Sequence, residues 1–254
     1  MAVEVKSRDE LKVMREAGRV VAEVLAILVN EVRPGLTVKR LDDIVREEYK
    51  RRGVAPTFLN YAPGNNPPYP ATVCVSINEQ IVHGIPGDRV LQEGDIVSID
   101  LGATYKGFVG DTAVTVPCGK VSEEAQRLIE TTRGALWAGI SAARAGSRLG
   151  DVGAAIHQYA ESRGYGVVRE YAGHGVGRRM HEDPQVPNYG EPGKGRRLQP
   201  GWVIAIEPMV NIGTHLTRVE PDRWTVCTAD GSLSAHFEHT LAITDGDAEV
   251  LTLP

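Results

Sequence analysis

Residues 94–116 read GDIVSIDLGATYKGFVGDTAVTV, and the parsing of this stretch decides the fold. Apolar residues alternate over 96–101 and again over 109–116, with a Lys106-Gly107 turn signal between them, so the segment is expected to form a β-hairpin. Each arm carries one aspartate, Asp100 and Asp111. A symmetric hairpin centred between Tyr105 and Lys106 sets the two directly opposite each other. Opposed Cβ atoms stand about 4.5–5.5 Å apart, close enough for like charges to destabilise the pair. Such a pair persists where one carboxyl is held protonated beside the other, or where a cation lies between them.

The same pattern recurs at a constant offset of 107 residues. LQEGDIVSID over 91–100 aligns without gaps to LQPGWVIAIE over 198–207, which makes Glu207 the counterpart of Asp100. The return strands correspond as well, GDTAVTV around Asp111 with EHTLAIT from Glu238. The segments before each hairpin repeat too. A Ser7-capped amphipathic helix ending near Pro34-Gly35 is followed by a shorter one over 38–51 that closes at Gly53. A helix from Ser122 towards Ala145-Gly146 is followed by one over 151–163 that closes at Gly164. Two copies of one α+β unit, each giving a pair of carboxylates, predict a pseudo-symmetric site. The expected organisation is a single catalytic domain over 1–254, with halves of roughly 1–120 and 121–254.

Composition narrows the class. The 254 residues are 42% hydrophobic and 24% charged, ordinary for a globular chain. A net charge of -5 and no dense basic cluster argue against a nucleic-acid partner. No apolar signal region opens the sequence and no window approaches the roughly 18 apolar residues of a membrane span. Three widely spaced cysteines, Cys74, Cys118 and Cys227, fit neither a disulfide framework nor a zinc ribbon. The expected setting is the cytoplasm, without membrane association.

His174 lies in the second copy between two glycines, in YAGHGVGRRMHEDP over 171–184. With Asp100, Asp111, Glu207 and Glu238 it makes an oxygen-rich set of four carboxylates and one imidazole. That set suits two divalent ions about 3.5–4 Å apart, and without cations four buried negative charges in one cleft are prohibitive. Mixed oxygen and nitrogen donors favour Mn, Fe, Co or Zn over Ca. The expected nucleophile is a water or hydroxide shared by the metals. His83 and His181 stand outside the ligand set, either as donors to a scissile amide and its oxyanion or as structural histidines. His157, His215, His236 and His239 carry no comparable context, and alternation puts His239 on the face opposite Glu238.

These motifs resemble those of the type I methionine aminopeptidases, of the pita-bread metallopeptidase family. The similar text runs from CVSINEQIVHGIP at 74–86 through DIVSIDLG, GDT, GHGVGRRMHEDPQVPNY and AIEPMV to WTVCTADGSLSAHFEHT, most of the chain. The resemblance implies duplicated α/β halves around a central curved antiparallel sheet with helices outside. It implies that Asp100, Asp111, His174, Glu207 and Glu238 are metal ligands, with Asp111 and Glu238 bridging. His83 and His181 match catalytic histidines that contact substrate, and Glu207 matches the residue credited with moving the proton. The methionine pocket maps onto Tyr61, Tyr69, Cys74, Met180 and Trp224, with Phe58 beside them. Two departures from common bacterial members stand out: extra Pro, Gly and Asn residues between Tyr61 and Tyr69, and Met180 where Phe is frequent.

The implied activity is removal of the initiator methionine from nascent polypeptides whose second residue is small. The implied partners are nascent N-termini, met at the ribosome by a monomeric enzyme. The 31 residues separating Glu207 from Glu238 leave no room for the helical insertion of type II relatives. The alternatives are an Xaa-Pro aminopeptidase or prolidase of the same fold, which usually carries an additional N-terminal domain, and a pita-bread binding protein that has lost its ligands. The chain's own Met1-Ala2 start leads to the expectation that Met1 is removed.

Overall fold

Lys106 and Gly107 both take left-handed backbone conformations, φ 47° and 79°, the geometry of a two-residue type I′ turn. In the computed structural model, which describes residues 3–254, Tyr105 pairs with Phe108 across this turn and the ladder runs back to Ile96 opposite Pro117. The hairpin is therefore centred one residue later than direct opposition of the aspartates requires. Asp100 lies opposite Ala113 and Asp111 opposite Gly102. The two are diagonal neighbours, not a facing pair, which corrects the sequence expectation. The correction spans two residues, so it leaves both side chains on one face. Diagonal spacing of roughly 7–8 Å also leaves space for a cation that direct opposition does not.

Among the described residues four helices carry the outside of the molecule: α1 (Arg8–Glu31), α2 (Val38–Arg52), α3 (Glu123–Ala142) and α4 (Leu149–Glu161). Ser7 Oγ accepts from the Glu10 backbone N–H while the Glu10 carboxylate accepts from the Ser7 N–H, a capping box that fixes the start of α1. Met14, Ala17, Val21, Val24 and Leu28 form its buried stripe. Gly53, in the left-handed region at φ 67°, ends α2. The Ser122 hydroxyl accepts from Ala125 N–H at the head of α3. The fourth helix begins two residues before the expected Asp151, because that carboxylate accepts from Arg148 N–H and draws the preceding turn into the helix.

The strands are β1 (Ala55–Pro56), β2 (Cys74–Ile77), β3 (Gln80–Val82), β4 (Ile96–Tyr105), β5 (Phe108–Pro117), β6 (Gly166–Val167), β7 (Gly173–Gly175), β8 (Glu182–Val186), β9 (Val203–Ile206), β10 (Met209–Asn211), β11 (Thr217–Val219), β12 (Val226–Thr228), β13 (Ser234–His236), β14 (Glu238–Ala242) and β15 (Glu249–Val250). Nine of them form one sheet in the order β1-β4-β5-β14-β9-β7-β8, with β2 on β4 and β15 on β14. The run β4-β5-β14-β9 reads the same from either end once each strand is replaced by its repeat counterpart. The halves meet where β5 pairs with β14, and threonines stitch that seam. Thr112 Oγ1 donates to Glu238 O at 2.8 Å, and Thr240 Oγ1 donates to Asp111 O at 2.7 Å.

One apolar cluster gathers α1 and α2 against β2 and β4, and a second gathers α3 and α4 against β9 and β14. The helices thereby fix the opposite faces of the strands that carry the acids. His239, on the helix side as alternation predicts, meets Trp137 of α3 edge-on with ring centroids 5.7 Å apart. Among the described residues no helix is long and apolar enough to cross a membrane. Met1, whose removal the sequence leads one to expect, lies outside the described residues.

Candidate active site

Three adjacent strands place the first acids. Asp100 on β4, Ala113 on β5 and Glu238 on β14 are in register across the sheet, so the two carboxylates flank a methyl group on a common face. Asp111 precedes Ala113 by two residues on β5 and shares that face. Glu207 comes directly after Ile206, the last residue of β9, which pairs with His239. His174 is the central residue of β7, next to β9. Its flanking glycines are required by packing: a Cβ on Gly173 would lie 2.3 Å from Ala205 O, and one on Gly175 2.1 Å from Asp183 O.

The side chains converge. Asp111, His174 and Glu238 each offer a ligand atom within 4.8 Å of the others. His174 Nε2 lies 3.5 Å from Glu207 Oε1 and 4.0 Å from Asp111 Oδ2. His174 Nδ1 stands 3.0 Å from Gly175 O. A carbonyl only accepts, so Nδ1 carries the proton and Nε2 presents its lone pair to the acids. Burial, then the neighbouring His181, pushes His174 down to about 3 and keeps it neutral.

The acids are in a complementary predicament. Asp100 Oδ1, Asp111 Oδ1 and Glu238 Oε1 are buried with no hydrogen-bond partner. Burial raises Asp100 to about 7. It pushes Asp111 well above the carboxylate range, with Asp100 and Glu207 adding repulsion. Glu207 and Glu238 are displaced upward for the same reasons. Unpartnered carboxyl oxygens beside an imidazole lone pair, with no cationic side chain among them, are a donor set that fits divalent metal.

Above these residues opens a cavity of about 620 Å³. Phe58, Tyr69, Val82, Met180 and Trp224 make its apolar wall, and His83 and His181 stand beside the acids. Tyr69 Oη donates to Gly84 O at 2.8 Å and Trp224 Nε1 donates to Pro67 O at 2.9 Å, which fixes both rings. Tyr61 Oη lies 2.7 Å from His181 Nδ1. Tyr61 and Tyr69 both line the cavity on either side of the extra residues, where Tyr69 N–H donates to Tyr61 O and Asn60 N–H to Tyr69 O. These bonds close the base of the loop. Burial lowers His83 to about 4 and also lowers His181. Each is thus a neutral imidazole with one N–H to give.

Cys74 is placed differently from the other pocket candidates. It is buried opposite Asp100, on the same face of the sheet, and belongs to the same apolar cluster as Phe58, Tyr69, Met180 and Trp224, but it does not line the cavity. Two residues escaped the sequence reading. Tyr171 lines the cavity and meets the His83 ring edge-on at 5.7 Å. His236 is buried with both ring nitrogens unpartnered, and its Nε2 lies 3.8 Å from Glu207 Oε2. The signal for His236 was its spacing of two from Glu238, which under simple alternation puts both on one face.

The chain belongs to metallopeptidase family M24, whose model matches residues 12–245. Its similarity within that family is to the methionine aminopeptidases. That of Clostridium acetobutylicum is 47% identical over 250 residues, 98% of this chain and 98% of that protein. Methionine aminopeptidase 1 of Bacillus subtilis is 48% identical over 247 residues, 97% of this chain and 98% of that protein. The crystal structure of methionine aminopeptidase from Thermotoga maritima superposes with a TM-score of 0.96 at 44% identity, covering 100% of both chains. The prolidase from Pyrococcus furiosus, at 22% identity and a TM-score of 0.78, covers 98% of this chain and 65% of its own, and shares the fold.

Proposed function

We propose that residues 1–254 act as one catalytic unit that removes the N-terminal methionine from polypeptides whose second residue is small. The observation that carries this reading is the Asp111–His174–Glu238 cluster, with its unpartnered carboxylate oxygens, opening onto an apolar cavity. Asp100, Asp111, His174, Glu207 and Glu238 are the proposed ligands. Four carboxylates carry a formal charge that one dication leaves half balanced, which supports two ions. The donor set admits Mn, Fe, Co or Zn.

Divalent metal held by Asp100, Asp111, His174, Glu207 and Glu238 would supply Lewis acidity for a water molecule and for the substrate carbonyl. The remaining steps fall to side chains of this chain. Phe58, Tyr69, Met180 and Trp224 enclose the methionine side chain, whose thioether suits an aromatic wall. His83 and His181 donate to the scissile amide and to the oxygen that gains charge as the carbonyl carbon is attacked. Tyr61, bonded to His181 Nδ1, sets the orientation of that ring. Glu207 takes the proton released by the attacking water and returns it to the departing nitrogen as the C–N bond breaks.

Met-Ala-Ser is expected to be cut at its first bond, with activity lost on chelation and restored by a divalent ion. Ala-Pro-Gly, a substrate for the Xaa-Pro alternative, is expected to survive. Cleavage after complete removal of metal, or preference for Ala-Pro-Gly, would overturn the reading. His83→Ala and His181→Ala are each expected to lower kcat by about 10²–10³-fold, the range for loss of one oxyanion donor. Metal content should remain unchanged in both, measured by elemental analysis beside steady-state kinetics.

A further inference from the structure

We propose that Arg223 forms an outer subsite for an acidic side chain in the residues following the first two of a peptide substrate; this rests on the methionine-excision reading above. Arg223 closes a tight hairpin loop. Its N–H donates to Glu220 O at 2.9 Å, and Glu220 N–H donates to Thr225 O at 2.9 Å. The loop puts Arg223 at φ 68°, a left-handed position that glycine fills freely and a long L side chain does not. An arginine held in that conformation points to a role for its side chain.

The neighbouring acids are engaged elsewhere. Asp222 Oδ1 accepts from the N–H groups of Trp224 and Thr225, each at 2.8 Å, and its Oδ2 accepts from Thr225 Oγ1 at 2.6 Å. Glu220 pairs with Arg218. Arg223 itself makes no ion pair among the described residues. Its Nη2 donates to Asn65 O, in the loop on the other side of the cavity mouth. That engages one part of a group with five N–H donors.

Arg223 lines the mouth with Pro63, Asn66 and the exposed Val219. The other formally charged side chains of the lining are the four acids of the floor, which metal neutralises. Arg223 is thus the one cation of the cavity lining among the described residues, and the ionised Asp222 beside it in sequence is held by the neutral donors of Trp224 and Thr225. The cavity is larger than a methionine side chain and one amide need, and in this proposal the peptide beyond its second residue leaves past Arg223. An aspartate or glutamate there gains a partner and a lysine meets a like charge.

The test uses metal-loaded enzyme and C-terminally amidated peptides beginning Met-Ala, with Asp, Ala or Lys at position three, four or five. The wild type is expected to prefer Asp over Lys in kcat/KM by about two- to fivefold at one of these positions, the range of an exposed ion pair, with the preference shrinking at high salt. Arg223→Gly, which suits the backbone, should bring the ratio close to one, and Arg223→Lys should retain it. A wild-type ratio near one at every position would overturn the proposal. So would a preference that survives in Arg223→Gly, or a uniform fall for all peptides, which would make Arg223 only a pin for the Asn65 loop. Failure of the wild type to cut any of the peptides would count against methionine excision itself.

Discussion

Asp111→Asn is expected to abolish peptide hydrolysis while making the metal-free protein more resistant to heat. Asparagine keeps the shape of the side chain but brings no negative charge. Loss of an outer partner of a metal ligand already costs about 10–100-fold, so removing a proposed ligand should lower kcat/KM by more than about 100-fold. The stability change has the opposite sign. Asp111 Oδ1 is buried without a donor, and burial together with Asp100 and Glu207 disfavours its ionised form. An uncharged amide relieves that penalty. Steady-state kinetics and thermal melts of chelated protein measure the two effects side by side. A variant that loses activity and melts lower without metal would make Asp111 a structural residue instead.

Chelated wild-type protein is expected to lose stability as the pH rises from about 7.5 to 8.5, and divalent ion should reverse this. Asp100 is raised from 3.8 to about 7, and Asp111, Glu207 and Glu238 are raised as well. In this window the unfolded carboxylates are ionised while the folded ones retain protons, so the unfolded state binds fewer protons and stability falls with rising pH. Below about 6.5 the buried histidines act in the opposite sense. His83, His174, His236 and His239 are pushed down to between about 3 and 4, so protonating the unfolded chain works against folding there and offsets the carboxylates. That opposing contribution is halved at their ordinary value of 6.5 and nearly gone by about 7.5, which leaves the carboxylates exposed to measurement above it. Metal binds the ionised ligands, so its stabilising effect should grow with pH. At a hundred times the dissociation constant it amounts to about 2.7 kcal/mol, roughly 5–10 °C in a chain of this size. A chelated melting temperature that is flat or rising across this window would contradict the assignment of the buried acids.

What was legible in the sequence was the part written in periodicity and repetition. Alternation put Asp100 and Asp111 on one face, and that survived the error in register because a shift of two residues preserves the face. The turn centre was misplaced by one residue, although Lys106-Gly107 itself held the information in its demand for two left-handed conformations. The repeat located Glu207 and Glu238 without any tertiary information, and the sheet order β4-β5-β14-β9 is its spatial form. What was not legible depended on breaks in pattern. Phe237 separates β13 from β14, which hid the proximity of His236 to Glu207. Tyr171 sits outside any regular element, and only the folded chain brings it to His83. The excursion between Tyr61 and Tyr69 obscured its own closed base, formed by backbone bonds that no spacing rule reveals. Cys74 shares a cluster with the cavity wall but does not line the cavity, a distinction set by packing alone.

The most direct test is anomalous diffraction at the manganese edge from crystals grown with Mn²⁺. The account predicts two anomalous peaks enclosed by Asp100, Asp111, His174, Glu207 and Glu238. Absence of anomalous density among these five side chains, with manganese bound elsewhere or not at all, would contradict it.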